Sequence, residues 1–240
     1  MKKQFLRWFA ALALLAGGSA GVFGTPTGLN NIPTADTVPD RTVAWQGFLN
    51  LGGPNAVNGV PGYGPTGRGT LWSGFKTGLR FSGLRLEWGL DTPILPGQAG
   101  PLAFQTKLGF NPWENGSVVV GVANVALTDT RRSAEPFTYG VLTQDFGLLR
   151  VHAGYGYQAY GQAGIGSSSL LAGVDRTFKV WERDLNLNAD VIQTERQHAW
   201  LPAVGAKYNL SQHIVLEAWG NFPEHGKASG MAKINYVFTY

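Results

Sequence analysis

The last seven residues, Ile234-Asn235-Tyr236-Val237-Phe238-Thr239-Tyr240, constrain this chain more than any other stretch. In an extended strand, successive side chains point to opposite faces. Tyr240, Phe238, Tyr236 and Ile234 therefore share one face, while Thr239, Asn235 and Lys233 share the other with Val237. One alternating strand also ends many soluble domains, so the remainder of the chain must decide what surrounds it.

The same alternation recurs from Arg41 onward at roughly 10–20 residue spacing, interrupted by turn chemistry. The apolar sets are Val43, Trp45, Leu49; Leu71, Phe75, Leu79, Phe81; Leu84, Leu86, Trp88, Leu90; and Leu102, Phe104, Leu108, Phe110. After a valine-rich stretch of ambiguous facing, Ser117–Leu127, come Phe137, Tyr139, Val141 and then Leu149, Val151, Ala153, Tyr155, Tyr157. Leu170, Ala172, Val174; Leu185, Leu187, Ala189, Val191; Trp200, Val204, Ala206, Tyr208; and Ile214, Leu216, Ala218 precede the terminal strand. The sequence thus predicts an all-β fold of about 12 strands, an even number suited to an up-and-down barrel whose termini lie on one side.

Connections and faces sharpen the prediction. Gly52–Gly69, Thr92–Gly100, Asp129–Glu135, Gly161–Ser167 and Phe222–Ala228 read as long loops, with a shorter Glu195–Ala199 on the same side. Ser82-Gly83, Asn111–Gly116, Phe146-Gly147, Lys179–Asp184 and Asn209–Gln212 read as tight turns on the other side. Opposite the apolar sets stand Lys76, Arg80, Arg85, Glu87, Gln105, Lys107, Arg150, His152, Gln158, Asp175, Asn186, Asn188, Asp190, Lys207, Glu217, Lys233 and Asn235, interleaved with glycines. An aromatic face this continuous is unfavourable in water. Turned toward lipid, with the charged face enclosing an interior, both sets are satisfied and no sheet edge meets hydrocarbon. The predicted girdles hold Trp88, Phe137, Tyr139, Tyr155, Tyr157 and Trp200 at the long-loop end. Phe81, Phe110, Trp113, Trp181, Tyr208, Phe238 and Tyr240 fall at the short-turn end.

The amino terminus begins with Lys2, Lys3 and Arg7, continues in an apolar run from Phe9 to Ala16, and closes on Gly17-Gly18-Ser19-Ala20. That run is too short to span a bilayer as a helix, and the pattern predicts a cleaved signal peptide over residues 1–20. With three basic residues in the leader, the 19 Lys+Arg and 15 Asp+Glu become 16 against 15, so a basic patch for nucleic acid is excluded. Cysteine is absent, which removes lipid acylation, disulfides and thiolate metal ligands. Residues 21–40 hold several prolines and glycines and read as an extended periplasmic or lumenal segment, with the barrel over 41–240.

A terminal alternating strand ending in an aromatic residue resembles the bacterial outer-membrane β-barrel class, porin-like members included. The resemblance implies that Tyr236, Phe238 and Tyr240 signal insertion, that outer-membrane lipid and the barrel-assembly machinery are partners, and that the host is a diderm bacterium. Gly28-Leu29, Pro33-Thr34-Ala35 and Pro39 are also similar to the Gly-Leu…Pro-x-Ala…Pro entry motif of YjbH-type barrels, associated with exopolysaccharide export. Those proteins are much longer than this chain.

Catalysis finds little footing. The chain resembles outer-membrane phospholipase A in strand number, but His152 is followed by Ala153-Gly154, without the serine of a His-x-Ser pair. His198, His213 and His225 fall at turns or loops, and no base stands beside a nucleophile in sequence. Gly161–Gly166 resembles a phosphate cradle but opens no helix. The expectation is a non-enzymatic channel for small polar solutes, without cofactor or metal. Its predicted pore-lining residues are Lys76, Arg80, Arg85, Glu87, Lys107, Arg150, His152, Asp175, Asp190, Lys207, Glu217 and Lys233. The alternatives are a non-conducting structural or polysaccharide-export accessory barrel and, third, an integral-membrane enzyme.

Overall fold

The computed structural model describes residues 27–51, 70–95, 98–99, 102–128, 136–158, 166–194, 199–224 and 227–240. The leader over 1–20, residues 21–26, the loop Gly52–Gly69, all of Asp129–Glu135, most of Gly161–Ser167, and His198 and His225 lie outside them.

Thirteen strands are described: β1 (Thr42–Asn50), β2 (Thr70–Phe81), β3 (Leu84–Leu95), β4 (Gln98–Ala99), β5 (Ala103–Trp113), β6 (Gly116–Ala126) and β7 (Phe137–Asp145). They continue with β8 (Arg150–Gln158), β9 (Ser167–Val180), β10 (Arg183–Thr194), β11 (Ala199–Asn209), β12 (Ile214–Asn221) and β13 (Ser229–Thr239). Every pairing is antiparallel, β1 pairs with β13, and β2 pairs with both β1 and β3, so the sheet closes on itself. The two-residue β4 pairs only with the tip of β3, through Ile94↔Ala99 and Leu95↔Gln98. The wall is therefore a closed up-and-down barrel of twelve strands, with one hairpin extended beyond it. Part of the predicted loop Thr92–Gly100 is thus strand.

Closure removes the unpaired N–H and C=O groups that an open edge would present to hydrocarbon. The tight turns match the sheet's twist: Ser82 and Gly83 adopt φ of 45° and 80°, the left-handed pair of a type I′ hairpin. Trp45, Leu79, Phe110, Tyr155, Leu170, Val204, Leu216 and Tyr236 are exposed on the outer surface, while their polar neighbours turn inward.

Two strands correct the expected facing. In β7, Phe137, Tyr139 and Val141 are buried, and Thr138 and Leu142 are exposed. The three apolar residues face inward, so Phe137 and Tyr139 do not belong to an outer girdle. Inward glycines receive them: a Cβ on Gly156 would collide with the Phe137 ring, and one on Gly121 with the Tyr139 ring. In β6 the ambiguity is resolved by a bulge. Register jumps between Phe104↔Val125 and Thr106↔Val122, setting Ala123 and Asn124 opposite Gln105 alone. Asn124 occupies φ 61°, a conformation asparagine tolerates better than valine.

Candidate lumen site

Residues 27–40 occupy the barrel's interior. Gly28 bridges Pro33, the Leu29 N–H donates to the Ile32 carbonyl at 3.0 Å, and the Thr34 N–H donates to the Thr27 carbonyl at 3.2 Å. These bonds fold residues 27–34 into a small hairpin. Leu29, Ile32 and Ala35 pack with inward Val119, Phe137, Tyr139, Val141, Leu171, Ile192 and Leu201. Here lies the physical reason for the inward aromatics of β7: they bury the apolar side of this segment.

Wall glycines make room for the segment. A Cβ on Gly173 would stand 2.6 Å from Leu29 Cδ1, one on Gly205 would strike the Asn30 side chain, and one on Gly78 the Val38 carbonyl. Real Cβ atoms do not approach this closely, so the inner-face glycines shape a cradle.

The charged wall residues hold the segment's backbone. Glu87 accepts the Thr27 N–H on Oε1 and the Val38 N–H on Oε2, both at 2.8 Å. The Lys107 ammonium, 3.9 Å from Glu87 Oε1, donates to the carbonyls of Thr27 at 2.7 Å and Thr34 at 3.1 Å. Across the bore, Asp190 Oδ2 accepts the N–H groups of Asn30 at 2.7 Å and Asn31 at 2.8 Å. Asn31 Nδ2 donates to Asn221 Oδ1 at 3.0 Å. The hairpin therefore runs from the β3–β5 wall to the β10–β12 wall. Such charge-assisted bonds are shorter and stronger than neutral ones.

The return limb is fastened by β3, β7 and β8. Arg150 donates to Asp36 through both terminal nitrogens at 2.9 and 2.8 Å, and to Asp175 through Nε at 2.9 Å. Burial alone would raise the Asp36 carboxyl, but this guanidinium holds it well below the usual carboxylate range. Arg85 donates to the Ala35 carbonyl at 3.4 Å and to Ser117. Asp40 accepts the Arg80 N–H at 2.7 Å and leads the chain into β1.

His152 sits between Thr143 and Asp175. Its Nδ1 is 2.8 Å from Thr143 Oγ1 and its Nε2 is 2.9 Å from Asp175 Oδ1. A hydroxyl–imidazole–carboxylate chain is the arrangement of a nucleophilic triad. In this chain the Thr143 hydroxyl also accepts the Ala35 N–H at 3.1 Å, and the segment covers it. The three groups carry the segment's load to Arg150.

Lys76, Lys207, Glu217 and Lys233 lie apart from the segment. Glu217 and Lys233 face each other in register at 3.7 Å, Lys207 stands opposite Glu217 on β11, and Lys76 is buried on β2. Tyr236, Phe238 and Tyr240 are exposed near the carboxyl end of β13.

Sequence reasoning passed over Asp91, Gln46 and Thr143, and placed Gln105 on the inner face without a role. Gln46 Nε2 donates to Asp91 Oδ1 at 2.5 Å and Gln105 Nε2 to Asp91 Oδ2 at 3.1 Å, in a buried polar cluster. Asp91 was findable, since it continues the inward alternation of Arg85, Glu87 and Gly89. Thr143 was missed because it shares a face with aromatics that belonged, by composition, to lipid. Among the described residues, no group of three or more His, Cys, Asp or Glu side chains is placed to hold a metal ion.

No family model matches the chain. No curated protein matches it by sequence. Solved structures do match. The KdgM porin superposes with a TM-score of 0.54 at 8% identity, covering 83% of this chain and 99% of that one. The same porin in complex with disordered oligogalacturonate gives 0.53 at 8% identity, with the same coverage. The NanC porin gives 0.51 at 10% identity, covering 82% of this chain and 99% of that one. At these identities the likeness establishes a shared barrel fold. The resemblance of Thr27–Pro39 to YjbH-type barrels finds no support in these matches.

Proposed function

We propose that this chain is a porin-like channel of a bacterial outer membrane, passing small polar solutes through a bore that residues 27–40 constrict. The observation that carries the reading is a closed twelve-strand wall, greasy outside and charged inside, shared in fold with KdgM and NanC. The oligogalacturonate complex of one neighbour makes acidic sugars a reasonable solute class to test first. The reading is non-enzymatic, because the Thr143–His152–Asp175 chain is committed to holding Ala35 and Arg150 rather than facing a substrate. Export through a cleaved leader, outer-membrane lipid and the assembly machinery complete the proposal.

Single-channel recording of the refolded protein tests it. Wild type is expected to give small discrete openings. Glu87→Gln with Asp190→Asn, which weakens four of the segment's backbone bonds, is expected to give larger ones. A bilayer silent for both proteins would sink the channel. A non-conducting accessory barrel is then favoured, and one observation already speaks for it: the hairpin is bonded to opposite walls, as a permanent plug would be.

A further inference from the structure

The outer face of the wall carries almost no charge, and its exceptions sit together. Among the described residues of the twelve wall strands, only Arg176 on β9 and Arg183 on β10 fall on the outward side of the alternation. Every other Asp, Glu, Lys and Arg of those strands falls on the inward side. The two arginines are exposed, in register with Leu187 and Val180. Between them Phe178 and Leu185 face each other across the hairpin, continuing the outward ladder of Ala172↔Val191 and Val174↔Ala189.

The hairpin that carries them reaches past its neighbours at the short-turn end. β9 spans 14 residues and β10 spans 12, against nine in each of β7 and β8 and eight in β12. From Arg176 to Lys179 both faces of β9 are exposed, and the inner side is polar, with Lys179 closing on Asp184 at 2.6 Å. At the tip stands Trp181, 86% exposed.

No acid answers the two arginines. Asp184 belongs to Lys179, and neither Arg176 nor Arg183 makes an ion pair among the described residues. Glu182, at the turn, is the one acid left on this protruding part. The Arg176 guanidinium instead lies 4.7 Å from the centroid of the Phe178 ring, two residues nearer the turn. A charge on a lipid-facing strand is costly in hydrocarbon, and a long side chain relieves the cost by carrying its head to the interface. Stacked on Phe178, the charge is carried off the apolar ladder toward Trp181, an amphipathic ring suited to headgroup depth.

We propose that Arg176 and Arg183 bind the headgroup phosphate of an anionic phospholipid in the leaflet at the short-turn end, with Phe178 and Leu185 against its acyl chains. The proposal rests on the reading that the barrel's outer face meets lipid. A guanidinium presents a planar fork of donors that matches phosphate oxygens. Two of them without a matching acid favour a headgroup of net negative charge. A protein seated here would have to cover the same apolar ladder that the rest of the wall turns to lipid.

Native mass spectrometry of the refolded protein in detergent, loaded with equal amounts of phosphatidylglycerol and phosphatidylcholine, tests the site. Wild type is expected to retain phosphatidylglycerol in preference by at least about fivefold, the scale of one basic residue at an anionic surface. Arg176→Gln with Arg183→Gln is expected to abolish the preference, and Arg176→Lys with Arg183→Lys to keep part of it. Glu182→Gln, a turn substitution that leaves the strands intact, is expected to strengthen it. The shift in gel migration on heating shows separately that each variant has folded. Equal retention of both lipids by wild type, or an undiminished preference in the folded Gln pair, overturns the site and leaves the hairpin face to a protein partner. Displacement of the lipid by millimolar inorganic phosphate overturns it in favour of a free anion. A protein that fails to insert into phosphatidylcholine vesicles removes the membrane reading itself; one that inserts but shows no lipid preference removes only the site.

Discussion

Glu87 shows how one side chain can hold a loop in place. It is buried with Lys107, and its two oxygens take N–H groups from both limbs of the lumenal segment. Replacing it with Gln leaves the buried Lys107 ammonium with only the Thr27 and Thr34 carbonyls and no counter-charge at 3.9 Å, the more damaging half of breaking an ion pair. Glu87→Gln is expected to cost about 3 kcal/mol, on the scale measured for broken buried pairs, read from urea unfolding in lipid vesicles. Asp36 gives a pH dependence of known sign. Its folded-state value is depressed, so its stabilising effect is complete above the unfolded value of about 3.9 and lost as pH falls through the lower folded value. The stability difference between wild type and Asp36→Asn should therefore be constant from pH 7 to about pH 4 and vanish only in stronger acid. A difference that fades between pH 7 and 5 would show that Asp36 is not held by Arg150.

At the scale of elements, the lumenal hairpin and the wall were shaped for each other. Inward glycines on β2, β9 and β11 leave hollows that Val38, Leu29 and Asn30 fill, and the aromatics of β7 close over the apolar tip. Gly173→Val would place a branched side chain where Leu29 and Ile32 sit. The barrel should still close, because the substitution favours strand structure. The hairpin should be displaced, read as faster hydrogen exchange at the Leu29 and Thr34 amides with little change at the β9–β10 ladder. Unchanged protection at those amides would mean that the cradle has slack. The β6 bulge belongs to the same scale: one left-handed residue, Asn124, rephases a valine run so that Val122 and Val125 both point outward.

At the scale of the molecule, the proposed channel rests on a balance between an apolar outer face turned to lipid and a charged interior. Val204 is among the most exposed outward residues of β11, at 59%. Val204→Arg is expected to destabilise the barrel by roughly 2–4 kcal/mol in bilayers if it lies at the midplane, falling toward zero near an interface. The measured value therefore reports depth as well as facing, and a stabilising effect would place this face away from lipid.

The barrel was legible in the sequence because a strand's side chains alternate with period two, whatever its neighbours do. Thus β2, β3, β5, β8 to β11 and β13 could be assigned their faces from residues such as Phe75, Glu87, Lys107 and Tyr155 alone. Turn chemistry at Ser82-Gly83 likewise acts within a few residues. What the sequence could not decide was which side of an apolar strand meets lipid when the interior is itself partly apolar. Phe137, Tyr139 and Val141 look outward by composition, and only the hairpin bearing Leu29 and Ile32 draws them in. The path of residues 27–40 was open for the same reason. Its bonds to Glu87, Lys107, Asp190 and Arg150 join positions up to 160 residues apart, so closure of the barrel alone decides that those groups meet.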